Sequence, residues 1–354
     1  MSTSTPSKPP KLTDVARSAS VDIATASRAL NRSPGWERLS AACVERVEQA
    51  ARALGYRPNA AARGLRRRRA DAVGILHSPG RDGSVWMREL FDGLESALFE
   101  QGLHAVLIAG EAPVETAAAF AAEGRIDGLI APVYALDRDA RRALARAGVP
   151  HVVTHVAPDA AEGPAVALDA AAGIREAVAH LAALGHRHLL WASPDPGRSN
   201  DASPRGEACR EACRAHGLRL SEVLAGGGET RIGRSIATAT EALIPVLRSA
   251  DRPGAVVAYH DPIALGALCA ARRLGLRVPA DLSVTGFDDS FGEVADPPLT
   301  SVSHAPLEIA RAAVGLFLEL RENQAAASPG PGASRPVVVT PRLILRESTG
   351  PAGL

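Results

Sequence analysis

The spacing of apolar positions changes character near residue 70. Ahead of that point, Leu12, Val15, Ala16 and Ala19 recur at i, i+3, i+4 and i+7, the stripe of a short amphipathic helix. A polar break at Ser20 leads to Asp22, a residue suited to N-cap a second helix. In that helix Ala26, Ala29 and Leu30 are expected to face inward, and Ala24, Ser27 and Arg28 outward. Cys43, Val47, Ala50 and Leu54 space a third helix from Ser40, with Gly55 as its stop signal.

Beyond Ala72 the helical stripes alternate with short, continuous apolar runs. Ala72–Leu76, His104–Gly110, Gly128–Val133, His151–Thr154, Ala165–Leu168, His188–Ser193, Ala255–Tyr259 and Ser283–Phe287 read as buried parallel strands. Trp86–Glu100, Val114–Glu123 and Arg138–Ala147 read as helices between them. Repeated βα units imply parallel sheets covered on both faces by helices. Two such sheets in tandem give two lobes, with a ligand cleft at the carboxyl ends of the strands. Gly226–Gly228 lacks the Lys-Ser/Thr of a phosphate loop and reads as a turn. Ser328–Pro336 reads as a surface loop before a final strand, Val337–Leu345.

A length of 354 residues allows two or three domains with sizeable cores. No apolar run approaches a membrane span, and Met1–Pro10 is polar without the apolar centre of a signal peptide. The expected location is therefore cytoplasmic, with a disordered tail over 1–10. Cys43, Cys209, Cys213 and Cys269 lack disulfide-framework spacing and are expected to be reduced. Cys209, Cys213 and His216 share a helical face, but no fourth ligand is evident, so no metal is expected. Nor does the chain show a nucleophile elbow, a zinc-protease helix or paired carboxylates, which argues against an enzyme.

Charge changes the picture more. Residues 1–70 hold 14 Lys and Arg against five acids, a surplus of nine, while the whole chain is only +1. The remainder is therefore at −8. A basic headpiece on an acidic body concentrates phosphate attraction in one place. Two short helices with a tight turn are also able to present the second one to a DNA major groove.

The residues themselves sharpen this. The run from Leu12 to Asn31, with Tyr56-Arg-Pro-Asn-Ala-Ala-Ala-Arg-Gly-Leu65, resembles the headpiece of the lactose/galactose repressor (LacI-type) family of bacterial transcription regulators. The likeness continues through Ile126-Asp-Gly-Leu, Gly148-Val-Pro-His, His180–Arg187, Asp261-Pro-Ile-Ala-Leu-Gly266, Ser283–Asp289, Leu299-Thr-Ser-Val and Leu345–Thr349. It implies an all-α helix-turn-helix headpiece with a hinge helix, followed by an α/β core of two lobes resembling periplasmic binding proteins, with parallel sheets. The expected divisions are a DNA-binding domain at 11–58, a hinge helix and basic linker at 59–70, and an effector-binding and dimerisation core at 71–349. Within the core the N-lobe is expected over about 71–164 and 296–323, and the C-lobe over about 165–295 and 324–349.

By the same resemblance the protein regulates transcription, as a repressor, binding a palindromic operator as a homodimer under control of a small-molecule effector, a sugar. It implies DNA contacts at Thr13, Asp22, Ile23, Ala24, Thr25, Ser27, Arg28, Asn31, Tyr56, Asn59, Ala62 and Leu65. Ile23 and Ala24 can only pack on apolar base edges such as a thymine methyl, whereas Arg28 can pair with guanine. Leu65 aligns with a minor-groove wedge, and the four arginines Arg66–Arg69 beside it are suited to phosphates. Effector contacts are implied at Trp86, Tyr134, His155, Arg205 and Asp261, unless Arg205 and Asp261 simply pair as a structural salt bridge. No cofactor and no membrane are implied. An alternative core function is the binding of a protein co-regulator, and a less favoured one is an enzyme with an appended headpiece. The chain departs from the family at Ser20, Asp22, Ala170 and His260, and in about three extra residues between Asn31 and Leu39 that leave Trp36 exposed to touch DNA or a partner.

Overall fold

The computed structural model describes residues 10–32, 35–56, 69–77, 85–161, 163–194, 202–226, 232–325 and 336–353. Expectations for the tail, the hinge residues Asn59, Ala62 and Leu65, Arg66–Arg68, most of the 226–228 turn and nearly all of the 328–336 loop lie outside these residues. The chain divides into two compact units, Met1–Arg69 and Ala70–Leu354.

Among its described residues the first unit holds three α-helices: α1 (Leu12–Ser18), α2 (Ile23–Asn31) and α3 (Ala41–Leu54). Asp22 caps α2 by accepting from the Thr25 amide at 2.8 Å, and Ser40 caps α3 by accepting from the Cys43 amide. Gly55 ends α3 at φ 65°, the left-handed conformation that satisfies the last carbonyls. Ser20 takes φ 53° in the α1–α2 turn, so the conformation that favours glycine is held here by a serine. The three helices close over Val15, Ala16, Ala19, Ala26, Ala29, Val47, Ala50 and Ala51.

The second unit contains two six-stranded sheets. The first comprises β1 (Ala72–Leu76), β2 (His104–Ile108), β3 (Leu129–Pro132), β4 (His151–Val156), β5 (Ala165–Leu168) and β11 (Val337–Val339). Their spatial order is β11-β5-β4-β3-β1-β2. The second comprises β6 (His188–Ser193), β7 (Arg219–Leu224), β8 (Ala255–Ala258), β9 (Ser283–Asp288), β10 (Thr300–Ser303) and β12 (Arg342–Ile344) in the order β12-β10-β9-β8-β6-β7. Every pairing is parallel except β10 with β12. Helices α4 (Val85–Glu100), α5 (Pro113–Ala122), α6 (Arg138–Arg146) and α11 (Pro306–Ala325) belong to the first lobe, and α7 (Ala170–Ala183), α8 (Ala202–Ala215), α9 (Ile232–Arg248) and α10 (Asp261–Leu274) to the second. No described helix is long and apolar enough to cross a membrane.

Lobe boundaries differ from the sequence reading. β5 pairs with β4, so the chain leaves the first lobe at Asp169 and not before Ala165. β10 pairs with β9, so the return comes after Ser303 and not near Asp296. The expected strand Val337–Leu345 is two strands in two sheets, broken at Thr340-Pro341, and the third crossing lies there. Buried parallel strands carry the same apolar signature whichever sheet they join, so pattern alone does not assign them.

Long α11 lies on α4 in the first lobe and approaches it closely at Gly93, where a Cβ would stand 3.0 Å from Ala310 and Leu307 side chains. Towards its far end, Arg321 donates to Asp127 at 3.4 Å. The same Asp127 carboxylate accepts from the amides of Ala70 (2.5 Å) and Asp71 (3.1 Å), pinning the residues that open the core. Cys209 and Cys213 are buried in α8, His216 is exposed, and no three metal-ligating side chains cluster among the described residues. His186 and His188 make internal bonds to Ser283 and Ser221.

Candidate functional sites

In the headpiece, the start of α2 is the most open part of that helix. Ile23 is 50% exposed and Ala24 is exposed beside it. Arg28 is half-exposed one turn later, with Nε donating to the Ala24 carbonyl at 3.3 Å. Thr13 is exposed on α1, and Tyr56 packs on the headpiece core. Thr25 is committed to the cap: its hydroxyl donates to Asp22 at 2.6 Å, and these bonds hold the Asp22 carboxyl below its usual range.

Ser27 is buried, not outward-facing as expected. In so small a domain the inward arc of α2 is wide enough to take in Ser27 beside Ala26. Asn31 turns inward with it, its amide donating to the Ser27 carbonyl at 2.9 Å. Trp36 is half-buried and not the exposed group expected, because Arg32 lies over its ring at 4.4 Å and reaches Glu48 at 3.1 Å. Arg32 is thereby tied to α3.

In the core, the carboxyl ends of both sheets bring a cluster of rings together. Trp86, at the start of α4, stacks on His304 with centroids 4.8 Å apart and 11° between planes. His155, directly after Thr154 in β4, lies 4.7 Å from Trp86 and 5.6 Å from His304. His304 occupies the β10–α11 crossover, and its Nε2 meets the Asp288 carboxylate at 2.8 Å. The Trp86 amide donates to Ser290 Oγ at 3.1 Å, so α4 touches the segment that follows β9. The two lobes therefore meet through Trp86 and His155 on one side and His304, Asp288 and Ser290 on the other.

Arg205 of α8 is buried behind this cluster. Its guanidinium lies 3.9 Å from the Phe287 ring and 4.6 Å from that of Tyr259, and it donates to the Tyr259 carbonyl at 2.8 Å. The remaining donors of its fork are the ones open to a ligand. Tyr134 directs its hydroxyl at the Met87 sulfur, 3.2 Å away, at the rim of the first-lobe core.

Asp261 departs from expectation. It neither pairs with Arg205 nor opens on the cleft. It is fully buried, accepting from Ser301 Oγ (2.6 Å) and the Phe291 amide (3.0 Å), and a Cβ on Gly286 would collide with it. Burial, with Asp288 nearby, pushes its carboxyl up to about 7. The helix N-cap here is its neighbour His260, whose Nδ1 accepts from the Ile263 amide. Asp261 thus ties α10 to β10 and to the segment after β9.

Sequence reasoning missed His304, Asp288 and Ser290. The segment Ser283–Asp289 carries family likeness, but the sequence reading gives it no site role. Nothing local marks His304, because its place depends on where the chain recrosses the lobes. Backbone strain marks the same region: His155, Asp288, Asp289 and Ala305 all have positive φ, at 62°, 102°, 55° and 53°. Such conformations persist where packing over-determines them, and they concentrate at ligand sites.

Residues 11–59 match the model for "Bacterial regulatory proteins, lacI family", and residues 178–349 match that for "Periplasmic binding protein-like domain". The HTH-type transcriptional regulator CelR of Thermobifida fusca is 32% identical over 308 residues, 85% of this chain and 88% of CelR. The chain belongs to the lacI family. As a lacI-family member it is a DNA-binding transcriptional regulator and not an enzyme. Among solved structures, the lac repressor dimer bound to operator and the anti-inducer ONPF aligns at TM-score 0.80 and 26% identity, over 97% of this chain and 100% of that one. The transcriptional regulator CelR–cellobiose complex aligns at TM-score 0.63 and 27% identity, over 96% and 99% of the two chains.

Proposed function

We propose that this regulator is a cytoplasmic, sugar-responsive repressor that binds a palindromic operator as a homodimer. The observation that carries the effector half is the ring cluster joining the lobes. Trp86 offers a flat face to the apolar side of a sugar ring, while Arg205 and Asp288 supply a donor fork and an acceptor for hydroxyls. A relative solved with cellobiose has the same fold. His155 and Tyr134 complete the wall, and Asp261 acts by holding its frame. A sugar that bridges the lobes favours one lobe arrangement over another, and couplings of about 1–3 kcal/mol suffice to change operator affinity.

On the DNA side, Ile23, Ala24 and Arg28 read bases. Thr13, Asp22, Thr25, Asn31 and Tyr56 position the helix, and the 59–70 segment, with Asn59, Ala62 and Leu65, forms the paired hinge. The domain divisions are 11–58 for the DNA-binding part and 71–349 for the core. A thermal-shift panel of sugars and other metabolites on the full chain tests the effector half, because a ligand of the native state raises its melting temperature. A core that answers only to a protein partner would leave that panel flat. For the DNA half, Arg28→Ala should relax preference at one symmetric base pair per half-site by about 1–3 kcal/mol. Equal loss on every sequence, measured by anisotropy, would make Arg28 a phosphate contact instead.

A further inference from the structure

His155 Nε2 is one of the buried polar atoms at the cleft. It is shielded from solvent and makes no hydrogen bond among the described residues, whereas Nδ1 of the same ring is satisfied by Thr154 Oγ1 at 3.0 Å. A buried polar atom left in this state costs free energy unless something supplies its partner. The ring is also held where a relaxed chain would not put it, at φ 62°, wedged between Trp86 and the His304 crossover.

We propose that His155 is the residue by which this cleft selects an uncharged ligand, a hydroxyl of a neutral sugar completing the hydrogen bonding of its Nε2. The inference rests on the reading of the cleft as a sugar site and sharpens it.

The charges around His155 support the choice of a neutral group. His304 approaches from the β10–α11 crossover, Arg205 from α8, and Asp288 from the end of β9 by way of His304; Trp86 from α4 and Thr154 from β4 carry no charge. Burial first, then His304 and Arg205, hold the imidazole well below its usual pKa, so it is neutral in the physiological range. Each described cation here already has an occupation: Arg205 is covered by two rings and bonded to a carbonyl, and His304 is engaged with a carboxylate. A phosphate or carboxylate entering beside a neutral imidazole would meet a single cation with donors to spare, the partly engaged Arg205, and the like charge of Asp288 in the same cluster. A hydroxyl is both donor and acceptor and suits either tautomer of the ring.

The test is calorimetric titration of the full chain with cellobiose, glucose, galactose and the 6-phosphates of the two hexoses, between pH 5 and 8. An uncharged sugar is expected to bind at least about ten-fold more tightly than the phosphorylated hexoses. His155→Leu, similar in size but apolar, should weaken that binding about ten-fold or more, and His155→Gln, which keeps a neutral polar group, by less than about five-fold. Affinity should stay level from pH 6.5 to 8 and decline in acid, as charging the ring competes with the ligand. Melting temperatures of both variants check that they fold, and His155→Gln carries the test if His155→Leu does not. Undiminished sugar binding by His155→Leu would overturn the role of His155 and leave the sugar site standing. Tighter binding of a 6-phosphate, or affinity that rises in acid, would overturn the selection of a neutral ligand. Absence of heat with every sugar would overturn the sugar reading itself, and this inference with it.

Discussion

Six of the eight fully buried apolar residues in the described headpiece are alanines, whereas the core closes over Trp191, Phe287 and Phe317. Hydrophobic stabilisation follows buried apolar area, at roughly 25 cal/mol per Å². A methyl-lined interior therefore leaves the three headpiece helices dependent on details that the core can spare: the Asp22 and Ser40 caps, the Gly55 stop, and two valines. The contrast follows from size. A small domain has little chain with which to build a core, whereas each lobe closes a six-stranded sheet under helices.

The contrast can be broken by deleting a large side chain where the core is densest. Phe317→Ala empties a buried site between α11 and Gly128, just before β3, and should destabilise the core by about 3–5 kcal/mol. Calorimetric unfolding of the full chain should show the drop, with α1–α3 amide exchange unchanged if the units are independent. An acid-base test comes next. The Asp261 carboxyl titrates at about 7 when folded but near its ordinary value of about 3.9 when unfolded. Between those values the native state holds the extra proton, so stability should fall as pH rises from about 4 to 7 and level off above. Asp261→Asn should remove that slope in urea titrations; a slope that persists would assign it to another group.

In the headpiece the expected effects are smaller in kcal/mol but larger as a share of local stability. Val47→Ala removes one of the two buried valines and should cost about 1–2 kcal/mol, read as faster amide exchange along α3. Ser40→Ala removes the α3 cap for about 1 kcal/mol, and restoring Thr or Asp there should recover it. A headpiece indifferent to both would show that its stability comes from elsewhere than this core and its caps.

How far the sequence revealed all this differs between the regions in the same way. Headpiece helices were legible because Asp22, Ser40 and Gly55 punctuate them with local chemistry that needs no tertiary context. Ser27 was not, since its burial depends on how three helices meet. In the core, most strands announced themselves as apolar runs. β7 escaped because Arg219–Leu224 is a polar-rich edge, and β10 because Thr300–Ser303 is buried through hydroxyls. Those hydroxyls are satisfied inside the protein: Thr300 Oγ1 accepts from the Arg346 amide at 2.9 Å, and Ser301 Oγ donates to Asp261 at 2.6 Å. The site was half legible. Trp86, His155 and Arg205 came from likeness to a family, but Asp288 and His304 reach the cleft only through crossings that a one-dimensional pattern does not encode.

Helix α11 begins two residues after His304 and carries Arg321 near its other end, where Asp127 grips that arginine together with the amides of Ala70 and Asp71. At 1.5 Å per residue such a helix is about 30 Å long. It is a strut with one end beside the cleft and the other at the residues that open the core. The cleft and the first residues of the core are thus far apart in space but joined by a single continuous helix.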